Sequence, residues 1–369
     1  MFYYLFDYIN EKFNPPGFDL FRFLTFRSAL AAITALILSF YIGPRIIAKL
    51  KARQVDQPIR EEGPATHKKK AGTPTMGGLI ILFSVVLPVL LWSDIKSIFI
   101  LLVLFATVVL GIVGFLDDYL KVVKKLPQGL IARYKLIGQI FVGLIVGLAV
   151  YYLPEFSNYN TQTTLPFFKN LNWDFSYLYI PWVIFIITAT SNAVNLTDGL
   201  DGLAIGTMII VMLALAIISY MTGNVIYADY LNIFYISGSG ELTVFIAALI
   251  GAGLGFLWFN FYPAQIFMGD TGSLALGGAF GVIMIVIKKD LLIPILGGIY
   301  FAETLSVIIQ RLYFKFTKRK YGEGRRVFKM APIHHHFEKL DWAEPKIVVR
   351  FYIITIILTI ISLASFKIR

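Results

Sequence analysis

The chain has 369 residues, a formal net charge of +11, 57% hydrophobic residues and only 15% charged ones, with a mean hydropathy of +0.74. That balance excludes a water-soluble globular enzyme or a nucleic-acid-binding domain and predicts an all-α integral membrane protein. The absence of cysteine excludes disulfides and thiolate chemistry.

Residues 1–21 are aromatic and interrupted by Pro15-Pro16, without the basic start or small-residue cleavage site of a signal peptide, so they read as an interfacial segment. Ten apolar runs follow, at about 23–43, 75–92, 97–115, 136–153, 178–194, 203–221, 242–261, 273–287, 291–314 and 348–366. They predict about ten transmembrane helices in a single polytopic membrane domain, residues 1–369. The intervening loops at about 44–74, 116–135, 195–202, 262–272 and 315–347 carry 22 of the 33 lysines and arginines. The positive-inside rule therefore puts these loops in the cytoplasm and both termini outside. The basic excess signals topology and anionic lipid, not nucleic acid.

Polar clusters that could do chemistry all fall in those loops. The first loop holds Arg60-Glu61, Lys68-Lys69-Lys70 and Gly72-Thr73-Pro74-Thr75. The third run ends in Asp117-Asp118-Tyr119-Leu120-Lys121. If that helix continues, Asp117, Lys121 and Lys125 share a face as an ion-pair ladder, but Asp118 is left beside a like charge unless a cation or proton relieves it. Asn192, Asn195, Asp198 and Asp201 recur every third residue, a spacing that one straight helix cannot turn to one face. Gly199 and Gly202 allow a turn there, either as a simple polar connection with an Asp cap or as a place where oxygens converge. Asp270, between Gly269 and Gly272, is either a helix cap or a carboxylate beside phosphate-binding amides.

Pro294 and Gly297-Gly298 predict a bent or broken ninth span, in which Glu303 and Gln310 stand among apolar residues. The last loop carries three of the four histidines, His334, His335 and His336. Carboxylates and amides are hard oxygen ligands suited to Mg²⁺, and nearby Lys, Arg and His can neutralise phosphate. The pattern points to phosphoryl transfer between a soluble donor and a lipid acceptor. A transporter would suit the broken span, but it would place its polar residues near the midplane.

Arg60-Glu61-x-Gly63-Pro64-x-x-His67, Gly72-Thr73-Pro74-Thr75-Met76-Gly77-Gly78, Asp117-Asp118-Tyr119, Asn192 to Leu203, Met268-Gly269-Asp270-x-Gly272-Ser273 and Pro332-Ile333-His334-His335-His336-Phe337-Glu338 together resemble the phospho-N-acetylmuramoyl-pentapeptide transferase family, a branch of the polyprenyl-phosphate N-acetylhexosamine-1-phosphate transferases. The resemblance spans essentially the whole chain. It implies Mg²⁺-dependent transfer of phospho-MurNAc-pentapeptide from UDP-MurNAc-pentapeptide to undecaprenyl phosphate, giving lipid I and UMP. It implies catalytic roles for Asp117, Asp118 and Asp270, with Asp270 on the metal and Asp117 deprotonating the lipid phosphate. It implies substrate binding by Lys70, Thr75, Lys121, Lys125, Asn192, Asn195, Asp198, Asp201, Phe267, Gln310, His334, His335 and His336. It further implies a homodimer in the bacterial cytoplasmic membrane and a groove for the polyprenyl tail beside the bent ninth span.

Overall fold

The protein is described here by a computed structural model, which covers residues 1–52, 72–126, 128–168 and 171–367. Lys70 and most of the first polar loop lie outside the described residues. The chain opens with α1 (Phe2–Phe13) and α2 (Leu24–Ala52), followed by α3 (Gly78–Trp92), α4 (Ile98–Val122) and α5 (Ala132–Tyr152). A short antiparallel hairpin, β1 (Gln162–Thr164) with β2 (Asn172–Asp174), precedes α6 (Tyr179–Thr197), α7 (Leu203–Thr222), α8 (Val225–Leu231) and α9 (Leu242–Asn260). The last elements are α10 (Gly269–Val286), α11 (Ile293–Leu296), α12 (Gly298–Tyr321), α13 (Ile333–Glu338) and α14 (Glu344–Ala364).

Each of the ten apolar runs falls on a helix. Among the described residues, eight helices are long and apolar enough to cross a membrane, and the stretch from Asp290 to Tyr321 passes only as a pair bent by 83°. The break lies at Gly297, after Pro294, where the sequence expects it. The second run forms α3, which has only 15 residues.

Two boundaries differ from the sequence reading. α2 does not stop at Pro44 but continues to Ala52. Pro44 forfeits one intrahelical hydrogen bond, yet Ile47 and Leu50 beyond it are buried and keep the helix packed. Conversely, α4 ends at Val122, and Lys125 has a left-handed φ of 53°. Lys125 therefore projects from an exposed turn and does not extend the Asp117–Lys121 face.

α10 is the innermost helix: every residue except Gly269 and Asp270 is buried. α3, α4 and α6 pack around it. The approach is set by glycine. A Cβ on Gly114 of α4 would lie 2.1 Å from the carbonyl oxygen of Asp270, and one on Gly78 of α3 would lie 2.1 Å from the Gly272 nitrogen. Between α6, α10 and the bent pair runs an apolar cavity of about 270 Å³, lined among others by Phe185, Thr190, Phe280, Pro294 and Phe301.

Because the carbonyl it would strike is backbone, Gly114→Ala is expected to force the two helices apart. The cost should be about 1–3 kcal/mol, as for overpacked cores, read as a lower melting temperature of the detergent-solubilised protein. An unchanged melting temperature would contradict this account of the α4–α10 contact.

Candidate active site

Asp117 and Asp118 are adjacent on α4, so their side chains leave the helix about 100° apart. That divergence resolves the like-charge problem. Asp118 turns onto the start of α10, where Oδ1 accepts from the Asp270 amide at 3.1 Å and Oδ2 accepts from the Thr271 amide at 2.9 Å and the Thr271 hydroxyl at 2.6 Å. A buried carboxylate of one helix thus caps the N-terminus of another, satisfying amides that the helix itself cannot.

Asp270 does not cap its own helix. Its carboxylate points to the side, where Oδ1 accepts from Asn195 Nδ2 at 2.8 Å. Lys121 Nζ lies 3.0 Å from Asp270 Oδ2 and also pairs with Asp117, one turn back on α4. Lys135, in the first turn of α5, lies 2.8 Å from Asp117 Oδ2 and also pairs with Asp270. Asp117 Oδ1 accepts from the Leu130 amide at 2.6 Å. Asp117, Asp118 and Asp270 each offer an oxygen within 4.8 Å of the other two. Three carboxylates and two ammonium groups thus meet at one helix terminus.

Asn195 also donates to Ser273 Oγ at 2.7 Å, which in turn donates to the Gly269 carbonyl at 3.0 Å. One turn deeper, Asn192 donates to Gln139 Oε1 at 3.1 Å, and Gln139 donates to Ser191 Oγ at 3.0 Å. Asp198 follows the end of α6 and sits beside the Gly269 amide; burial, reinforced by the negative charges of Asp270 and Asp118, pushes its carboxyl up to about 8. Thr75 is buried against the same corner, since a Cβ on Gly269 would meet both Thr75 Oγ1 and Asp118 Oδ2 within 3 Å. Backbone hydrogen bonds of 2.8 Å join Phe267 to Pro74 and Gly77, and Gly78 to Met268, fixing the loop before α10 to the segment before α3.

The other expected site residues are placed further out. Asp201 is buried: its carboxylate accepts from the Ala264 amide at 3.0 Å, and its own amide donates to Glu344 Oε1 at 2.7 Å. Gln310 accepts from the Val327 and Phe328 amides at 3.0 and 2.9 Å and donates to the Phe328 carbonyl at 3.1 Å. It thereby ties the histidine loop to α12. His334 is buried, whereas His335 pairs with Glu338 at 2.6 Å and His336 Nδ1 accepts from the Lys329 amide at 3.1 Å. Lys135 and Gln139 are the participants that sequence reasoning missed. Lys135 counted only as loop charge, and no local pattern reveals that α5 brings it to Asp117.

The cap assigns the neighbouring aspartates different structural duties. An amide at Asp118 retains one acceptor oxygen where two are used, so Asp118→Asn should cost on the order of 1–3 kcal/mol of stability. Asp117→Asn keeps its oxygen for the Leu130 amide and should melt closer to the wild type. The reverse order in a thermal melt would contradict the capping role.

Comparison with known proteins agrees with this geometry. Residues 100–288, which hold all three aspartates, match the family described as Glycosyl transferase family 4. Residues 70–82 match signature 1 of the phospho-N-acetylmuramoyl-pentapeptide-transferases. The chain is 55% identical to the phospho-N-acetylmuramoyl-pentapeptide-transferase of Pelodictyon phaeoclathratiforme over the full length of both chains. Those of Chloroherpeton thalassium and Chlorobium limicola are each 53% identical over the same extent. The chain therefore belongs to the phospho-N-acetylmuramoyl-pentapeptide-transferase family, glycosyl-1-phosphate transferases of peptidoglycan synthesis.

Proposed function

We propose that this protein transfers phospho-MurNAc-pentapeptide from UDP-MurNAc-pentapeptide to undecaprenyl phosphate, yielding lipid I and UMP. The observation that carries the reading is the meeting of Asp117, Asp118 and Asp270 with Lys121 and Lys135 at the α10 N-terminus. An oxygen of the acceptor phosphate forms a bond to the sugar-bearing phosphorus, and the bond between the donor's two phosphates breaks as UMP leaves. Asp117 takes the proton of the acceptor phosphate. Lys121 and Lys135 exchange carboxylate partners for phosphate oxygens and neutralise the charge that UMP carries away.

The donor set also fits Mg²⁺, a hard cation usually held by one or two carboxylates plus substrate phosphates. Asp270 would hold it, since both oxygens of Asp118 are engaged by α10. Bound there, the ion would polarise the diphosphate. Asn192, Asn195, Asp198 and Thr75 line the approach, with Lys125, Asp201 and Phe267 at its margins; the role of Lys70, outside the described residues, rests on the family resemblance alone. The loop carrying His334, His335 and His336, held by Gln310, covers the donor. The apolar cavity beside the bent pair takes the polyprenyl chain.

The placement that goes with this reading is a bacterial cytoplasmic membrane crossed about ten times, with α3 and the bent pair counted as spans. The termini lie outside, the site faces the cytoplasm, and the chain forms a homodimer. The basic excess of the site-bearing loops supports the orientation.

One assay tests reaction and orientation together. Inverted membrane vesicles should release UMP from UDP-MurNAc-pentapeptide when Mg²⁺ and polyprenyl phosphate are present, and UDP-GlcNAc should replace the donor poorly. Sealed right-side-out vesicles should not react with the impermeant donor. Asp270→Asn should slow release by on the order of a hundredfold, the scale of several kcal/mol of lost electrostatic stabilisation. Equal use of both donors, or activity only in right-side-out vesicles, would defeat the proposal.

A further inference from the structure

Glu303 is buried in α12, six residues past the break at Gly297, and the chemistry above gives it no part. It faces His334 of α13, also buried, with Oε1 3.1 Å from Nδ1. The two are close but poorly aligned: among the described residues, both carboxylate oxygens and both ring nitrogens are without a hydrogen-bond partner. Four buried polar atoms in that state are costly, and an apolar pair would fill the space with less penalty. Stability does not account for the arrangement.

The opposite edge of the imidazole does. A Cβ on Gly199 would lie 2.2 Å from His334 Nε2, so the ring rests directly on the Gly199 backbone. Gly199 is not needed for its φ, unlike Gly202 at +79°; it is needed because the ring occupies the space of a side chain. Gly199 is flanked by Asp198, which reaches the start of α10, and the turn is pinned on its far side by Asp201. On α12, Tyr300, Phe301 and Thr304, which bracket Glu303 in sequence, line the apolar cavity.

We propose that Glu303 is a positioning residue: through His334 it sets the turn at Gly199 that presents Asp198 and Asn195 to the donor. It thereby links the helix that borders the apolar cavity to the donor side of the site. This rests on the proposed transferase reading.

The test is steady-state UMP release by the full-length detergent-solubilised protein, varying UDP-MurNAc-pentapeptide and polyprenyl phosphate separately. Glu303→Gln should raise the donor KM by on the order of tenfold and leave the acceptor KM within about twofold, a split that general destabilisation does not produce. The double variant with His334→Ala should be little worse than His334→Ala alone, because the two act as one unit. If Glu303→Gln folds poorly, Gly199→Ala, which pushes the same ring, should give the same donor-weighted defect. An unchanged donor KM, equal effects on both substrates, or additive losses would overturn the positioning role. An inactive wild type would instead overturn the transferase reading on which it rests.

Discussion

The amides of Asp270 and Thr271 at the start of α10, held by the carboxylate of Asp118, are the constraint from which the rest of the site follows. α10 can enter this position only because Gly114 and Gly78 let two neighbouring helices touch its backbone. Once α10 is seated, the side chain of Asp270 emerges sideways between α4, α5 and α6. Lys121, Lys135 and Asn195 then reach it from three different helices. The same helix terminus that would otherwise attract a phosphate is already occupied by Asp118, so a phosphate or cation taken by this site would sit beside the dipole and not on it.

The charge balance of this corner is suited to exchange. Three carboxylates confront two ammonium groups, and Asp198, whose carboxyl is pushed up by burial and by its acidic neighbours, adds a further acidic group. A divalent cation placed beside Asp270 would supply the missing positive charge and release the lysines toward the phosphates of a substrate. Lys121, Lys135 and Asn195 satisfy the Asp270 carboxylate. The site is therefore preorganised without being empty of counter-charge.

Much of this was legible in the sequence, and the parts that were not have a common cause. Apolar runs marked every long helix, and Pro294 with Gly297 marked the break, because membrane length and backbone chemistry are local properties. The aspartates and asparagines were conspicuous because polar residues at the ends of apolar helices are expensive. Lys135 and Gln139 were not, since only the packing of α5 against α4 and α6 gives them partners. Local charge spacing also projected the Asp117–Lys121 ladder to Lys125, but α4 ends three residues earlier. Gly199 looked like a turn glycine in the sequence, while in the fold it makes room for the ring of His334.

Asp270 would have to exchange its lysine partners for a divalent cation. Mn²⁺ binding to the purified protein, followed by electron paramagnetic resonance, measures this without requiring turnover. The wild type should bind Mn²⁺ in competition with Mg²⁺, Asp270→Asn should lose that binding, and Lys135→Gln should bind more tightly because one competing charge is gone. Equal binding by the wild type and Asp270→Asn would contradict the central claim.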